Sequence, residues 1–581
     1  MNPQPSGASD AHIVFTLVIG AIAFAIPGLA LTAFGMLGIL ALLFVHYIFA
    51  RPMIVVCIGA FAVACLGLHH YCGAGANIYW QLGLDYLQVW SKPNTSATML
   101  GIWLSPSKDI FDKIAFSLVG IIVGAVVLLL REDRNNSKLA VLGGRQSKRS
   151  RAPAALFFAW LAAKHVASMG EKILFGTEFL SGRWAYLTYS QLTHHLIVIG
   201  TTGRGKTQTI LNIVEAAILA GLPLVYLDGK GDQELVARIR AFAKLHNRKF
   251  YLFDPTNIEA SCAYNPVATG TYTQRADRII AMRDVYSEAH YRILYEGFMI
   301  TVFKVMEYSG IPVDLVTTER HCSTEQLLAT LYRKSGRTVA SEALRTEILK
   351  QREAEREGIS SLRAEIRNLC ISDFGVLFDT QRAEREGREV LSLSRARAEG
   401  AIAFFALPGL QYPMAAARAG RMIVNDIKGT LPESRNLWPL LFDEYSVFGG
   451  GPQVLNLLSM GRVFGAAGVL ISQSCFDLAT DSSNSPNSIQ QALASINSLI
   501  LHQLNAADDA ELVARTVGTA TELEHTAQAI GEKPTGASSV RQVREFRLHP
   551  DLLKSLGTGE AVYVDRTSNT VERVVVRRSK I

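Results

Sequence analysis

Residues 195–207 read HLIVIGTTGRGKT, a short apolar and β-branched run followed by a glycine-rich turn that ends in Lys206-Thr207. The next residues, QTILNIVEAAILAG (208–221), place apolar side chains at helical spacing. The pattern GxxxxGK[ST] between a strand and a helix predicts a phosphate-binding P-loop. This segment therefore predicts an α/β fold that binds a nucleotide.

Each part of the predicted loop has a chemical task. Its glycines let backbone N–H groups surround phosphates, with the amino end of the following helix behind them. Lys206 is expected to reach the β- and γ-phosphates of ATP, and the Thr207 hydroxyl is expected to bind Mg²⁺. The residues predicted to bind the nucleotide are Gly200, Thr201, Thr202, Gly203, Arg204, Gly205, Lys206 and Thr207.

Two further strand ends carry polar residues. The apolar run 437–442 (LWPLLF) leads into Asp443-Glu444, which fits a Walker B motif with Asp443 on Mg²⁺ and Glu444 polarising the attacking water. The run 468–471 (GVLI) leads into Ser472-Gln473-Ser474, where Gln473 is expected to contact the γ-phosphate or the water. The alternatives are a solvated strand end for the acidic pair and an ordinary loop amide for Gln473.

The P-loop and the acidic pair Asp443-Glu444 are about 235 residues apart, which is too far for them to be joined by one helix and one strand. Residues 222–229, 249–255 and 401–407 are apolar and predict further core strands. Between them, residues 271–400 are charged and helical in pattern, with balanced arginines and glutamates. We predict a RecA-like P-loop ATPase in two parts, 186–270 and 401–581, with an inserted all-α domain at 271–400.

Residues 1–130 predict a membrane region. The segments 12–50, 52–68 and 114–130 contain no Asp, Glu, Lys or Arg. A bilayer core needs about 20 apolar residues per helix, so these segments predict three or four transmembrane helices. Residues 131–185 are predicted to be a basic linker and the entry to the ATPase. Lysines and arginines cluster in residues 131–151, and positive-inside bias places this basic part in the cytoplasm beside lipid headgroups. Residues 70–113 are then a periplasmic loop.

Composition excludes several other classes of protein. The chain has 581 residues, of which 49% are hydrophobic and 19% charged, so it is neither disordered nor collagen-like. Seven cysteines without CxxC pairs predict neither a disulfide framework nor a zinc site. The net charge of +7 comes mainly from the linker and the carboxyl-terminal residues.

Five motifs in this order resemble the type IV secretion coupling proteins of the TraG/TraD family, which are RecA-like ATPases of conjugative DNA transfer. The resemblance extends over nearly the whole chain, although Arg204 stands where many relatives have serine, and the membrane region is larger than the usual two spans. The matching segments are HHLIVIGTTGRGKT (194–207), YLDGKGD (226–232), CAYNPV (262–267), LLFDEY (440–445) and GRVFGAAGVLISQS (461–474).

The resemblance implies a homo-oligomer, a hexameric ring at the bacterial inner membrane, with ATP sites between subunits. Its substrate would be single-stranded DNA with an attached relaxase, passed to the inner-membrane components of a type IV secretion channel. Arg462 matches the family's position for an arginine that reaches the neighbouring subunit's phosphates. Arg418 and Arg421 are the alternatives for this role.

Two other functions remain open at this stage. The first is a coupling ATPase for protein effectors without DNA, because the near-neutral insertion lacks a strong nucleic-acid footprint. The second is a nucleotide-binding membrane receptor or scaffold with little turnover. The complete set of Lys206, Thr207, Asp443 and Glu444 favours an ATPase over the scaffold.

Overall fold

The computed structural model describes residues 161–581, except 163, 166, 180–181, 284–288, 335–337, 355–357, 445–446, 448–450, 479–485 and 531–532. The predicted membrane spans, the periplasmic loop and the basic cluster lie outside these residues. No helix within the described part of the chain has both the length and the apolar character needed to cross a bilayer. The chain divides into two units, and the fold below is that of the larger one, residues 159–179, 183–525 and 540–581.

The strands are numbered in chain order. Those before the insertion are β1 Ser168–Met169, β2 Lys172–Glu178, β3 Trp184–Thr188, β4 Leu196–Ile199, β5 Leu224–Asp228, β6 Phe250–Phe253 and β7 Ala263–Tyr264. The later ones are β8 Val390–Leu391, β9 Ile402–Ala406, β10 Trp438–Asp443, β11 Ala466–Ser472, β12 Ser498–Leu501, β13 Thr519–Ile530, β14 Lys533–Phe546, β15 Glu560–Asp565 and β16 Thr570–Val576.

One twelve-stranded sheet organises the described residues. Its order is β1-β2-β16-β15-β12-β4-β11-β10-β5-β9-β6, and β3 pairs with β2. The strands from β12 to β6 are parallel, whereas β15, β16, β2, β1 and β3 extend the sheet antiparallel. β13 and β14 pair only with each other in a second, two-stranded sheet. The six core strands predicted from apolar runs are confirmed as β4, β5, β6, β9, β10 and β11.

The parallel strands are mostly apolar because both faces of the sheet are covered. Successive side chains of a strand point to opposite faces. In β4, accordingly, Leu196 and Val198 belong to one buried apolar cluster, whereas Ile197 and Ile199 belong to the other. The carboxyl ends of these parallel strands meet at one edge of the sheet, and it is there that the predicted polar residues emerge.

The helices are also numbered in chain order. Those up to the insertion's end are α1 Tyr189–Thr193, α2 Lys206–Leu219, α3 Gln233–Leu245, α4 Tyr272–Ile280, α5 Ala289–Tyr308, α6 Leu315–Arg320, α7 Thr324–Lys334, α8 Val339–Ala354, α9 Ser360–Ile371, α10 Gly375–Phe378, α11 Thr380–Arg385 and α12 Leu393–Ala398. The later ones are α13 Pro413–Thr430, α14 Gly451–Gly461, α15 Pro486–Ala494, α16 Ala507–Val517 and α17 Pro550–Ser555.

The predicted insertion, residues 271–400, is helical over most of its length. One detail of the prediction is wrong, because Val390–Leu391 form β8, which pairs in parallel with Ala263–Tyr264 of β7. Apolar side chains of α5, such as Phe298 and Met299, lie in the same buried cluster as Ile197 and Ile199 of the central sheet. The insertion is therefore packed on one face of the central sheet, and its domain boundaries remain a prediction.

Candidate nucleotide site

The predicted P-loop joins β4 to α2 at the carboxyl edge of the sheet. Gly203 and Gly205 have φ values of +75° and +114°, a left-handed region that residues with a Cβ rarely adopt. Gly205 is the N-cap of α2, whose first residues are Lys206 and Thr207. The turn thus depends on its glycines, and the predicted order of strand, loop and helix is confirmed.

Lys206 lies under the loop. Its side chain is buried, and Nζ donates a hydrogen bond to the Gly200 carbonyl oxygen. Burial, together with the nearby charge of Lys230, lowers the pKa of Lys206. Thr207 is exposed at the start of α2. An ammonium group and a hydroxyl are therefore placed at the helix amino terminus, where phosphates bind favourably.

His502 packs against the P-loop and the helix α2 that follows it, and no pattern in the sequence indicated this residue. Its Nε2 accepts a hydrogen bond from Thr209 Oγ1 at 2.9 Å, and its Nδ1 donates to the Glu560 carbonyl oxygen at 3.0 Å. A Cβ on Gly200 would lie 2.5 Å from His502 Cβ, so this loop position tolerates only glycine. Burial lowers the pKa of His502 to about 4, and the ring is neutral at pH 7.

Asp443 ends β10 between two neighbouring strands. It pairs in register with Asp228 of β5 and with Ile471 of β11. Tyr226 Oη donates to Asp443 Oδ2 at 3.0 Å, whereas the buried Oδ1 has no hydrogen-bond partner. Burial raises the pKa of Asp443. One carboxylate oxygen is thus desolvated and still available to a cation.

Glu444 is held in a small polar network. Its backbone has φ +51°, an uncommon conformation for a non-glycine residue. Oε1 lies 2.8 Å from Lys230 Nζ and accepts a hydrogen bond from Gln473 Nε2 at 2.9 Å. Gln473 Oε1 accepts in turn from Thr202 Oγ1 at 3.1 Å. Burial alone would raise the pKa of Glu444, but the bonds from Lys230 and Gln473 lower it overall.

These residues fit a magnesium nucleotide. Mg²⁺ prefers oxygen ligands and is commonly bound by one or two carboxylates together with substrate phosphates. The unpartnered Oδ1 of Asp443 and the exposed hydroxyl of Thr207 are donors of this kind. In the described residues, no group of three or more His, Cys, Asp or Glu forms a separate metal site. The predicted P-loop, acidic pair and Gln473 are therefore brought together.

Arg462 is not part of this cluster. It lies in a 3-10 turn, Arg462–Phe464, that precedes β11, and β11 pairs in parallel with β4. Its neighbours are His194 and His195 at the opposite edge, where burial and the Arg462 charge lower the pKa of both rings. Within one subunit, this arginine and the P-loop are thus on different edges of the sheet.

The two alternative arginines lie on α13. Arg421 Nε donates to the Met282 carbonyl oxygen at 3.0 Å, which engages this side chain with its own subunit. Arg418 is half-buried on the same helix. Of the three candidates, Arg462 is the exposed one.

Comparisons of structure and sequence agree on one class of protein. The fold matches the bacterial conjugative coupling protein TrwBdeltaN70 in its unbound monoclinic form, with a TM-score of 0.50 and 13% sequence identity, over 73% of this chain and 93% of that one. This chain has the fold of a conjugative coupling protein. The predicted resemblance to type IV coupling proteins is confirmed. TrwB in complex with ADP and Mg²⁺ also matches, with a TM-score of 0.46 and 15% identity, over 68% of this chain and 88% of that one.

Sequence similarity to curated proteins is local. Type 4 coupling protein DotL of Legionella pneumophila is 29% identical over 75 residues, which are 13% of this chain and 10% of DotL. An uncharacterized protein of Mycoplasma pneumoniae is 32% identical over 73 residues, which are 13% of this chain and 56% of that protein. The matched stretches thus span about a tenth and about half of these relatives. No family model matches the chain.

Proposed function

We propose that this chain is an ATP-hydrolysing type IV coupling protein. It binds ATP and Mg²⁺ at the edge of the sheet where Lys206, Asp443 and Glu444 meet, and it works as a homo-oligomer, a hexamer, at the bacterial inner membrane. Its substrate is a single-stranded DNA bound to a relaxase, which it delivers to the inner-membrane components of a type IV secretion channel.

One observation carries the enzymatic part of the proposal. The P-loop and the acidic pair lie 236 residues apart, counted from Thr207 to Asp443. Because β4 and β10 both pair in parallel with β11, the carboxyl ends of these strands lie at the same edge of the sheet. The transport part is supported by the similarity of the fold to that of the bacterial conjugative coupling protein TrwBdeltaN70.

Each side chain of the cluster has a role in this reaction. Lys206 binds the β- and γ-phosphates, and Thr207 and Asp443 hold Mg²⁺, which neutralises phosphate charge when bound. Glu444 accepts a proton from the attacking water, since a glutamate carboxylate is ionised at pH 7. Gln473 is within hydrogen-bond distance of Glu444 and orients the water beside it.

A substitution at Glu444 tests the catalytic assignment. Glu444→Gln preserves shape but removes the base, so ATP binding should persist while turnover falls by about 10²–10⁴-fold. The measurements are steady-state phosphate release and binding of a fluorescent ATP analogue. Glu511→Gln, an exposed glutamate of α16, is the matched control and should behave as wild type. Wild-type turnover by Glu444→Gln would refute the role.

The substrate needs a separate experiment in cells. Donors whose only copy carries Lys206→Ala should lose plasmid transfer, since translocation requires bound ATP. Protein translocation from cells without an origin of transfer is measured in parallel with a reporter fused to candidate substrates. Loss of protein translocation without any effect on DNA transfer would favour the effector-coupling function instead. If the wild-type chain binds ATP but Lys206→Ala cells lose neither DNA transfer nor protein translocation, the receptor or scaffold function would be favoured.

The membrane topology rests on the sequence of residues 1–153. Alkaline phosphatase, which is active only after export, should be active when fused after Ser96 and inactive when fused after Arg151. A cytosolic reporter at the same two positions should give the opposite pattern. The reverse pattern would place the ATPase outside the cytoplasm and overturn the proposed topology.

A further inference from the structure

Lys230 contacts both acidic residues of the nucleotide site. It lies two residues beyond the end of β5, and β5 pairs in parallel with β10. Its Nζ is 2.8 Å from Glu444 Oε1 and 3.7 Å from Asp443 Oδ1. The side chain of Lys230 is 44% exposed, against 7% for Asp443 and 13% for Glu444. One solvent-accessible ammonium therefore neutralises two largely buried carboxylates.

The backbone around Lys230 is held by hydrogen bonds, whereas its side chain is partly exposed to solvent. The Lys230 amide donates to Asp228 Oδ1 at 2.9 Å, and the Asp232 amide donates to Oδ2 of the same residue at 2.8 Å. Gly231 has φ +70°, and a Cβ there would lie 2.7 Å from Pro408 Cβ. Because this turn is rigid, the ammonium can leave the carboxylates only by rotation of its four-carbon stem.

The ammonium and a metal ion would compete for one oxygen atom. Tyr226 already donates to Asp443 Oδ2, so Oδ1 is the oxygen available for a cation. This same Oδ1 is the atom that Lys230 approaches to 3.7 Å. Mg²⁺ binds carboxylate oxygen at about 2.0–2.1 Å, and two cations around one oxygen repel each other. Both cannot be held there favourably.

We propose that Lys230 is a displaceable counter-ion that keeps Glu444 paired until Mg²⁺ and nucleotide take its place. While Lys230 contacts Oε1, the carboxylate of Glu444 is bonded and a poor proton acceptor. When Mg²⁺ binds Asp443, the ammonium moves away and Glu444 is released toward the water. Metal binding and activation of the base are then one event. This inference rests on the proposed function.

The first test is independent of turnover. Thermal unfolding of the purified full-length chain is followed without nucleotide while Mg²⁺ is titrated. Lys230→Met should bind Mg²⁺ with a midpoint roughly tenfold lower than wild type, since one competing charge is gone. Lys230→Arg keeps the charge and should resemble wild type. Lys249→Met is the matched control, because Lys249 is also 44% exposed and pairs with Glu389 at 2.6 Å away from this site.

The second test uses hydrolysis. For Lys230→Met, the Mg²⁺ concentration that gives half-maximal ATPase activity should fall by a similar factor, with kcat at saturating Mg²⁺ unchanged. An unchanged Mg²⁺ midpoint in both experiments would overturn the proposal and make the contact an ordinary surface ion pair. A loss of kcat with unchanged Mg²⁺ midpoint would also overturn it and make Lys230 a phosphate ligand.

Failure of the proposed ATPase function and failure of the Lys230 counter-ion role give different experimental results. If the wild-type chain does not hydrolyse ATP, the proposed function fails, while the Mg²⁺ titration without nucleotide still measures the competition. If wild type hydrolyses ATP and Lys230→Met matches it at every Mg²⁺ concentration, only the counter-ion role fails.

Discussion

The two edges of the parallel sheet differ in what they contain. At the carboxyl edge, Lys206, Asp443 and Gln473 lie at the ends of three adjacent strands, and Gln473 is hydrogen-bonded to Glu444 beside them. At the amino edge, Arg462 is exposed on a short turn, and its neighbours Met460 and Val463 are each 67% exposed. One edge thus gathers the side chains of the proposed nucleotide site, and the other presents a charged group to solvent.

The distance between the edges explains why one subunit does not bring these groups together. β11 has seven residues, which at about 3.3 Å per residue is roughly 23 Å of strand. Arg462 precedes this strand, and Gln473 follows it. An arginine side chain cannot span that length, so Arg462 can reach phosphates only on another copy of the chain. The role proposed for Arg462 therefore depends on the proposed oligomer.

The largest expected effect is at the carboxyl edge. Lys206→Ala removes the ammonium under the loop, and we expect loss of saturable ATP binding and of all hydrolysis. Binding of a fluorescent ATP analogue measures this. Lys244→Ala, at an exposed lysine of α3, is the control and should bind as wild type. Normal ATP binding by Lys206→Ala would remove the P-loop from the site.

The second prediction concerns the amino edge. Arg462→Ala should abolish hydrolysis while ATP binding is retained, and Arg462→Lys should be nearly as impaired because lysine lacks the bidentate guanidinium. When inactive Arg462→Ala and Lys206→Ala subunits are co-assembled, some interfaces pair an intact loop with an intact arginine. Activity should then partly return. An active Arg462→Ala oligomer would transfer the role to Arg418 or Arg421.

The third prediction concerns the buried ion pair that holds the helix after the P-loop. The P-loop helix α2 is held by a fully buried ion pair, with Arg577 Nη2 at 2.7 Å from Glu215 Oε1. Removing one partner of such a pair costs about 3–5 kcal/mol, so Arg577→Met should lower the free energy of unfolding by that amount in urea denaturation. Arg515→Met breaks an exposed pair with Glu511 and should cost no more than about 1 kcal/mol. Equal costs would contradict this.

The smallest expected effect is a pH dependence at the amino edge. His195 Nδ1 accepts from the Gly468 amide at 3.1 Å while Nε2 donates to Leu458, and burial lowers the pKa of His195 to about 4. Between pH 6.5 and 4 the unfolded chain binds a proton that the folded chain does not, so stability falls as pH falls, by about 1.4 kcal/mol per unit.

His195→Gln tests this contribution, since glutamine can donate and accept without titrating. The variant should lose less stability than wild type between pH 7 and 5 in urea denaturation. His502 also has its pKa lowered to about 4 and is retained, so the acid sensitivity should decrease but persist. An unchanged pH profile would assign the sensitivity to other groups.

Much of the carboxyl edge could be predicted from local pattern. The apolar runs before Gly200, Asp443 and Ser472 are long enough to identify strands, and the polar residues after them identify chemistry. The antiparallel extension by β15, β16 and β2 was not predicted, because β16 pairs with β2, a strand that lies far from it in the sequence, and no local pattern indicates that pairing. Residues 168–178, assigned to the basic linker and entry to the ATPase, form β1 and β2 of this sheet.

By itself, the sequence determined the chemical groups of this protein, namely the P-loop, the acidic pair and Gln473. It also determined the positions of the core strands along the chain, since all of these follow from patterns within single segments. Only the tertiary structure decided which groups meet. Strand pairing placed His502 under Gly200 and Lys230 against Glu444, and it separated Arg462 from the P-loop by the length of β11. Such contacts depend on register between distant segments, which no local pattern encodes.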